Sequence, residues 1–358
     1  MSEKIRYSVL IVKCLLLILA VSGKALSEEG NSWHQKTALA PEELAVVVND
    51  ADPLSMKIAE YYKAKRQIPD INMVHVQFKP GGSIMTRAEF QRIKGVVDKA
   101  TPENVQFYAL TWNTPYRVRC MSITTAFATG FDERFCSKSC GPTKPSPYFN
   151  SNSRAPYTDY RLRPAMALAG RNFEEVKKLI DRGVASDHTY PRGTGYLVST
   201  YDKFRNVRAG GYPNIIQQYM GSSLDLRLTK ADFIKDKKNV LFYFTGISQV
   251  KALDTIRFVP GAIADHLTSA GGVLDGQKQM SSLRWLEAGA TGSYGTVVEP
   301  CNHLGKFPNP GIVINHYLHG ETLIEAYWKS VAWPGEGIFI GEPLAAPYAP
   351  QVSAARMQ

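Results

Sequence analysis

Residues 44–50 read LAVVVND, five apolar side chains in unbroken succession followed by two polar ones. A strand with one face in water alternates apolar and polar positions. An unbroken run asks for cover on both faces, the condition of a parallel sheet between helix layers. The next segment is helical by pattern: Asp52 can cap it, Pro53 suits its first position, and Leu54, Ile58 and Tyr61 recur at helical spacing. INMVHVQF at 71–78 is a second strand, and Thr86–Glu89 forms a capping box for a helix carrying Phe90, Ile93 and Val97. FYALTW at 107–112 is a third strand. This alternation predicts an α/β fold, a mostly parallel sheet flanked by helices.

The alternation returns further along. RNFEEVKKLIDRGV has helical spacing, YLVSTY reads as a short strand, FRNVRAGGYPNIIQQYM is ambiguous, and NVLFYFTG at 239–246 is a strong buried strand. A helix is expected around PGAIADHLTSAGG, then a helix and a strand over SLRWLEAGATGSYGTVVEP. NPGIVINHYLHGETLIEAYWKS is largely helical with an interruption at Gly320, and GIFIGEPL supplies a last strand. Residues 113–165 are rich in Pro, Ser, Thr, Asn and aromatics and hold three cysteines; they read as a long insertion, not a second core. The expected organisation is a signal peptide at 1–25, a lead-in at 26–41 and an N-terminal α/β half at 42–238 that includes the insertion. A C-terminal α/β half at 239–350 completes the sheet.

The first residues carry basic Lys4, Arg6 and Lys13, then CLLLILAV, then Gly23-Lys24-Ala25, whose small residues suit an exporting peptidase. That layout predicts a periplasmic or secreted protein cleaved after Ala25, with membrane attachment only if the segment stays uncleaved. Cys14 precedes the main apolar run, which argues against a lipid anchor there. The formal charge of +10 falls to +7 once four basic residues and one acidic residue leave with the signal. Ordinary solubility accounts for such a balance, although it also suits an anionic surface or polymer. KDKK at 235–238 is the only compact basic run, and no aromatic-plus-basic pattern points to nucleic acid. Among the remaining cysteines, the cluster Cys120, Cys136 and Cys140 predicts a local bridge, leaving Cys301 to pair with the third or stay free.

Ligands of open α/β sheets sit beyond the carboxyl ends of the strands. The residues there are Asn49 and Asp50, then Asn113 through Arg117, then Thr245 and Gly246, then Glu299 through His303. Convergence of Asn49, Asp50, Tyr116, Arg117, Thr245 and Glu299 would make a ligand site. Cys301 and His303 have the chemistry of a nucleophile and its base, but two residues apart is a poor spacing for such a pair. A metal reading adds His316 and His319, three apart on a helix, to Cys301 and His303 as a tetrahedral set, at an uncommon ligand spacing. His266 reads as a helix-surface or half-buried residue. No phosphate loop, dinucleotide fingerprint, G-x-S-x-G elbow or HExxH motif occurs, and no cofactor is expected.

Several stretches together resemble a family of exported bacterial proteins of unknown function. They are VVVNDADPLSMKIAEYYKAKRQIP at 46–69, LTWNTPYRV at 110–118, GYLVSTYD at 195–202, FVPGAIADHLTSAGGVL at 258–274, GATGSYGTVVEP at 289–300 and GIFIGEPLAAPY at 337–348. The second half also resembles the caspase-fold cysteine peptidases of the gingipain type, which implies a caspase-like three-layer sandwich. In those enzymes a histidine follows the third strand and a cysteine the next. This chain has Ile247 at the histidine's place and no cysteine from there until Cys301, so the resemblance implies the scaffold without the dyad. The function expected is an exported, non-catalytic binding or accessory protein of the cell envelope, engaging an envelope or extracellular protein through 113–165. The alternatives are a cysteine- or metal-dependent hydrolase using Cys301 and His303, and a structural subunit of an extracytoplasmic assembly.

Overall fold

The computed structural model describes residues 38–137 and 140–351; the signal peptide expected at 1–25 lies outside them. The first half contributes strands β1 (Leu44–Asn49), β2 (Met73–Val76), β3 (Ile84–Met85), β4 (Phe107–Leu110), β5 (Arg117–Val118), β6 (Met121–Ser122) and β7 (Ala165–Ala167). The second contributes β8 (Thr194–Ser199), β9 (Asp225–Lys230), β10 (Val240–Thr245), β11 (Phe258–His266), β12 (Gly292–Thr296) and β13 (Gly337–Gly341). Ten of these strands form one sheet in the order β2-β1-β4-β7-β13-β12-β11-β10-β8-β9, and β3, β5 and β6 form a small separate sheet.

Helices cover both faces. They are α1 (Pro53–Arg66), α2 (Arg87–Ala100), α3 (Ile123–Thr129), α4 (Pro156–Tyr160) and α5 (Phe173–Ser186), followed by α6 (Tyr212–Gln218), α7 (Leu283–Glu287), α8 (Pro310–Leu318) and α9 (Leu323–Lys329). The unbroken apolar run of β1 has the expected cause: Leu44, Val46 and Val48 enter one core, Ala45 and Val47 the other. The first core also takes Ile58 and Tyr62 of α1, Ile180 of α5, Tyr317 of α8 and Trp328 of α9. The second takes Phe90 of α2, Phe127 of α3 and Leu283 of α7. The result is a three-layer α/β sandwich. Both local signals for the first helices hold, since Asp52 accepts from Leu54 N and Thr86 from Glu89 N.

Pairing is parallel throughout the sheet except at one seam, where β12 runs antiparallel to β13. β13 is parallel to β7, and β12 to β11, so the sheet consists of two parallel blocks pointing in opposite directions. The carboxyl ends of β1 and β4 therefore leave one edge of the sheet, and those of β10, β11 and β12 leave the other.

Three local readings change. The segment expected as a helix around PGAIADHLTSAGG contains β11, whose last six residues are all buried. Its alanines, Ala262 and Ala264, are fully buried small side chains between two covering layers. Ala165–Ala167, at the end of the supposed insertion, is a central strand between β4 and β13. The insertion itself is built into the interior: Tyr116, Phe127 and Phe135 enter the second core and Tyr148 the first, so half of its eight aromatics are buried.

A buried ion cluster joins the ends of α1, α5 and β13. Fully buried Glu342, just past β13, accepts from Tyr62 Oη at 2.7 Å and from Arg66 Nε at 3.0 Å, and Arg66 also pairs with Asp187 beyond α5. Removing one member of a buried pair strands the other charge. Glu342→Gln should therefore lower unfolding free energy by about 3 kcal/mol in urea titrations; an unchanged midpoint would show that Asp187 alone satisfies Arg66.

Candidate functional site

At the carboxyl ends of β10, β11 and β12 the chain forms a crevice of about 340 Å³, lined by Phe204, Arg205, Leu267, Glu299 and the Cys140–Cys301 pair, with Ser269, Asn302 and Phe307 completing it. Its geometry starts at Gly246, directly after β10. A Cβ there would collide with the carbonyl of Arg205, so only glycine lets the segment after β8 cross the strand end this closely. Thr200 Oγ1 donates to the Gly246 carbonyl at 2.6 Å and holds that crossing. Arg205 is then aimed by Asp202 Oδ2 and Thr268 Oγ1, both at 3.1 Å, while the neighbouring Phe204 stays 77% exposed.

The floor is tied down by charge. Arg208 pairs with Asp265 at 2.6 Å and donates to the carbonyls of Thr245 and Pro308 at 2.6 and 3.2 Å. One guanidinium thus joins the end of β10, β11 and the loop before α8. Burial pushes the Asp265 carboxyl up, and Arg208 opposes that shift. Thr296 Oγ1 donates to the carbonyls of Thr268 and Ser269, both at 3.1 Å, fixing the loop after β11 to the end of β12.

The wall is the loop after β12. Cys301 takes a left-handed backbone (φ 54°), its N–H donates to Glu299 Oε1 at 2.8 Å, and its sulfur is bonded to Cys140. The second bridge joins Cys120 and Cys136. Two disulfides fit an oxidising compartment. No described helix is long and apolar enough to cross a membrane.

The predicted site residues do not form one group. Asn49 is buried and spends its side chain on Phe78 and Ala51, and Asp50 pairs with His75 at 2.7 Å. Tyr116 is buried, and the Nε of Arg117 is sequestered without a partner. Thr245 is fully buried, and of this set only Glu299 lines the crevice. The opposed directions of the two blocks explain the separation. Cys301 and His303 are not a pair: the sulfur is in a disulfide, and His303 Nε2 donates to the Cys140 carbonyl. The metal set is not assembled either. His316 lies between Glu321 at 3.0 Å and Asn150 at 3.2 Å, His319 Nδ1 meets the Asn315 carbonyl at 2.6 Å, and no metal-holding group of three appears among the described residues.

Phe204 and Arg205, missed by the sequence reading, lie in the stretch whose pattern was ambiguous. The available signal was an aromatic with no helical or strand periodicity around it. His266 is on a strand and wholly buried: Trp285 Nε1 donates to its Nδ1 at 2.9 Å, and its Nε2 donates to the Met280 carbonyl at 3.0 Å. A larger cavity of about 500 Å³ opens between α6 and α8, but none of the predicted site residues lines it.

Compared with known proteins, the chain matches no family model and no curated sequence. A solved structure described as "Structure of Protease" aligns over 87% of this chain and 79% of that one, at 13% identity and a TM-score of 0.41. A likeness at that level carries no argument about this chain.

Peptide mapping of non-reduced protein should recover Cys120–Cys136 and Cys140–Cys301 with neither thiol of the second pair alkylated; a labelled Cys301 would return it to the candidate nucleophiles. Burial holds His266 at about 3, against 6.5 for the free side chain. Between those pH values the unfolded chain binds a proton that the native state refuses, so stability falls as pH drops from 6.5 toward 3. The slope contributed is at most about 1.4 kcal/mol per pH unit. His266→Gln should flatten that limb of the stability profile; an identical profile would place the acid sensitivity elsewhere.

Proposed function

We propose that this chain is an exported, non-catalytic binding protein and that the crevice beyond β10, β11 and β12 is its partner-facing surface. The observation that carries this reading is the Cys140–Cys301 disulfide. It removes the one sulfur at the strand ends from nucleophilic chemistry and turns its loop into a fixed wall of the crevice. Cys140 belongs to the segment 113–165, so that segment contributes through the wall. Half of its eight aromatic residues are committed to the core.

The resemblance to caspase-type peptidases suits a scaffold of this kind. Ile247 stands two residues after β10, where those enzymes have a histidine, and β11 is followed by Leu267, Thr268 and Ser269 with no cysteine. At the crevice, Phe204 is 77% exposed, and the Asn302 amide donates to its carbonyl at 3.4 Å. Aromatic anchors next to an oriented arginine are the composition of interaction hot spots. A protein of the envelope or extracellular space is therefore the partner proposed. The signal-like N-terminus and the two disulfides support the location.

The test is a photo-crosslinking amino acid placed at position 204 in cells that export the protein, with position 71 in the other half as control. A discrete adduct from 204 alone is expected, and Phe204→Ala should weaken binding of that partner roughly tenfold or more. Equal adducts from both positions, or affinity unaffected by Phe204→Ala, would sink the proposal.

A further inference from the structure

A third concave site, sharing no lining residue with the crevice, lies among α2, the end of α3 and α4. It measures about 370 Å³ and is lined by Lys94, Asp98, Tyr157, Arg161 and Arg163 with the backbone turn at Thr129 and Gly130. Its charge is unbalanced. Lys94 and Asp98 form an ion pair, which leaves Asp98 committed and two guanidinium groups in excess.

Arg163 is the telling residue. It is only 5% exposed, yet its donors meet neutral acceptors: the carbonyl of Val105 at 2.9 Å, the hydroxyl of Tyr108 at 3.4 Å and the carbonyl of Pro102 at 3.4 Å. Buried cations are ordinarily paired with carboxylates, because desolvation without a counter-charge is expensive. Arg66, Arg208, Lys306 and Lys329 each face a glutamate or aspartate, whereas Arg182, like Arg163, ends on neutral acceptors, the carbonyls of Leu286 and Ala290. Arg163 and Arg161 stand over the same ring, with guanidinium carbons 3.3 and 5.2 Å from the Tyr157 centroid. The ring thus gathers both planar cations at one wall. Burial lowers the pKa of Lys94, Asp98 opposes that shift, and the charge of Arg163 adds to it.

We propose that this pocket binds a doubly charged tetrahedral oxyanion, sulfate or phosphate, either free or as the terminal ester of a larger molecule. The excess of positive charge matches a dianion, and guanidinium groups match the paired oxygens of such an ion. The site is independent of the crevice and of the function proposed for it.

The experiment is calorimetric titration of the full exported chain with sodium sulfate and sodium phosphate at low ionic strength, beside a hexose phosphate as the ester. Two double variants accompany it: Lys94→Gln with Arg161→Gln at the site, and Lys235→Gln with Lys238→Gln as a charge-matched control on the exposed basic run. Arg163 is left in place because its buried bonds serve the fold. Saturable binding of one anion per chain is expected, weakened about tenfold or more in the site variant and within about twofold of the parent in the control. A hexose phosphate that binds tighter than the inorganic ion identifies an ester as the ligand, and equal affinity identifies the free ion. Binding of none of the three, equal loss in both variants, or no loss in the site variant would overturn the proposal.

Discussion

The antiparallel pairing of β12 with β13 is the constraint on which the rest depends. All five of its residue pairs are in register, from Gly292 opposite Gly341 to Thr296 opposite Gly337. Gly337 has to be glycine, because the ring and hydroxyl of Tyr294 occupy the space a Cβ would need. That hydroxyl donates to the Lys306 carbonyl at 2.6 Å, and the ammonium of Lys306 is buried against Glu336 at 2.8 Å. The seam therefore reverses the direction of the sheet and anchors the loop that becomes the crevice wall. It also decides which strand ends can share a site: those of β10, β11 and β12 can, and those of β1 and β4 leave by the opposite edge.

Around that seam, buried charge is used for placement. Arg66–Glu342, Arg208–Asp265 and Lys306–Glu336 each tie a loop or helix end to a strand or the residue beside one, and the Lys329–Glu321–His316 cluster ties α8 and α9 to the turn between them. Desolvation makes such pairs poor sources of net stability, but it also makes any other arrangement of the same residues costly. Partners beside Glu321 hold its carboxyl down to about 2 despite burial, with His316 the first of them and Lys329 the second. Each pair thus trades little free energy for a single geometry. The crevice benefits directly, since Arg208 holds its floor and Lys306 its wall.

The layered α/β class was legible because it rests on local pattern. The two-sided burial of LAVVV, the Asp52-Pro53 start and the Thr86 cap all act within a few residues, and sequence displays them. The direction of the seam was not legible, because nothing in GIFIGEPL states whether its neighbour runs with it or against it. That ignorance carried into the site: placing Asn49, Asp50, Arg117 and Thr245 together assumed one direction for all strands. The alanines of β11 misled for a related reason. Small residues between two helix layers and small residues in a helix look alike when only composition is read. Phe204 and Arg205 were hidden because their position depends on a crossing over Gly246, a contact between segments some forty residues apart.

The disulfide of Cys140 with Cys301 closes this logic. A loop after a sheet strand is the usual place for a reactive group, and its usual weakness is mobility. Here the loop is held at three points, by Lys306 with Glu336, by Thr296 against the neighbouring loop, and by a covalent bond across a separation of 161 residues. The bond consumes the one cysteine sulfur that the described strand-end loops place at that edge of the sheet. What it leaves is a preformed surface, with the exposed aromatic of Phe204 on one side and Glu299 on the other. Rigidity before binding lowers the ordering cost that a partner would otherwise have to offset. On the reading proposed above, a loop fastened so thoroughly, at the expense of its thiol, suits recognition better than catalysis.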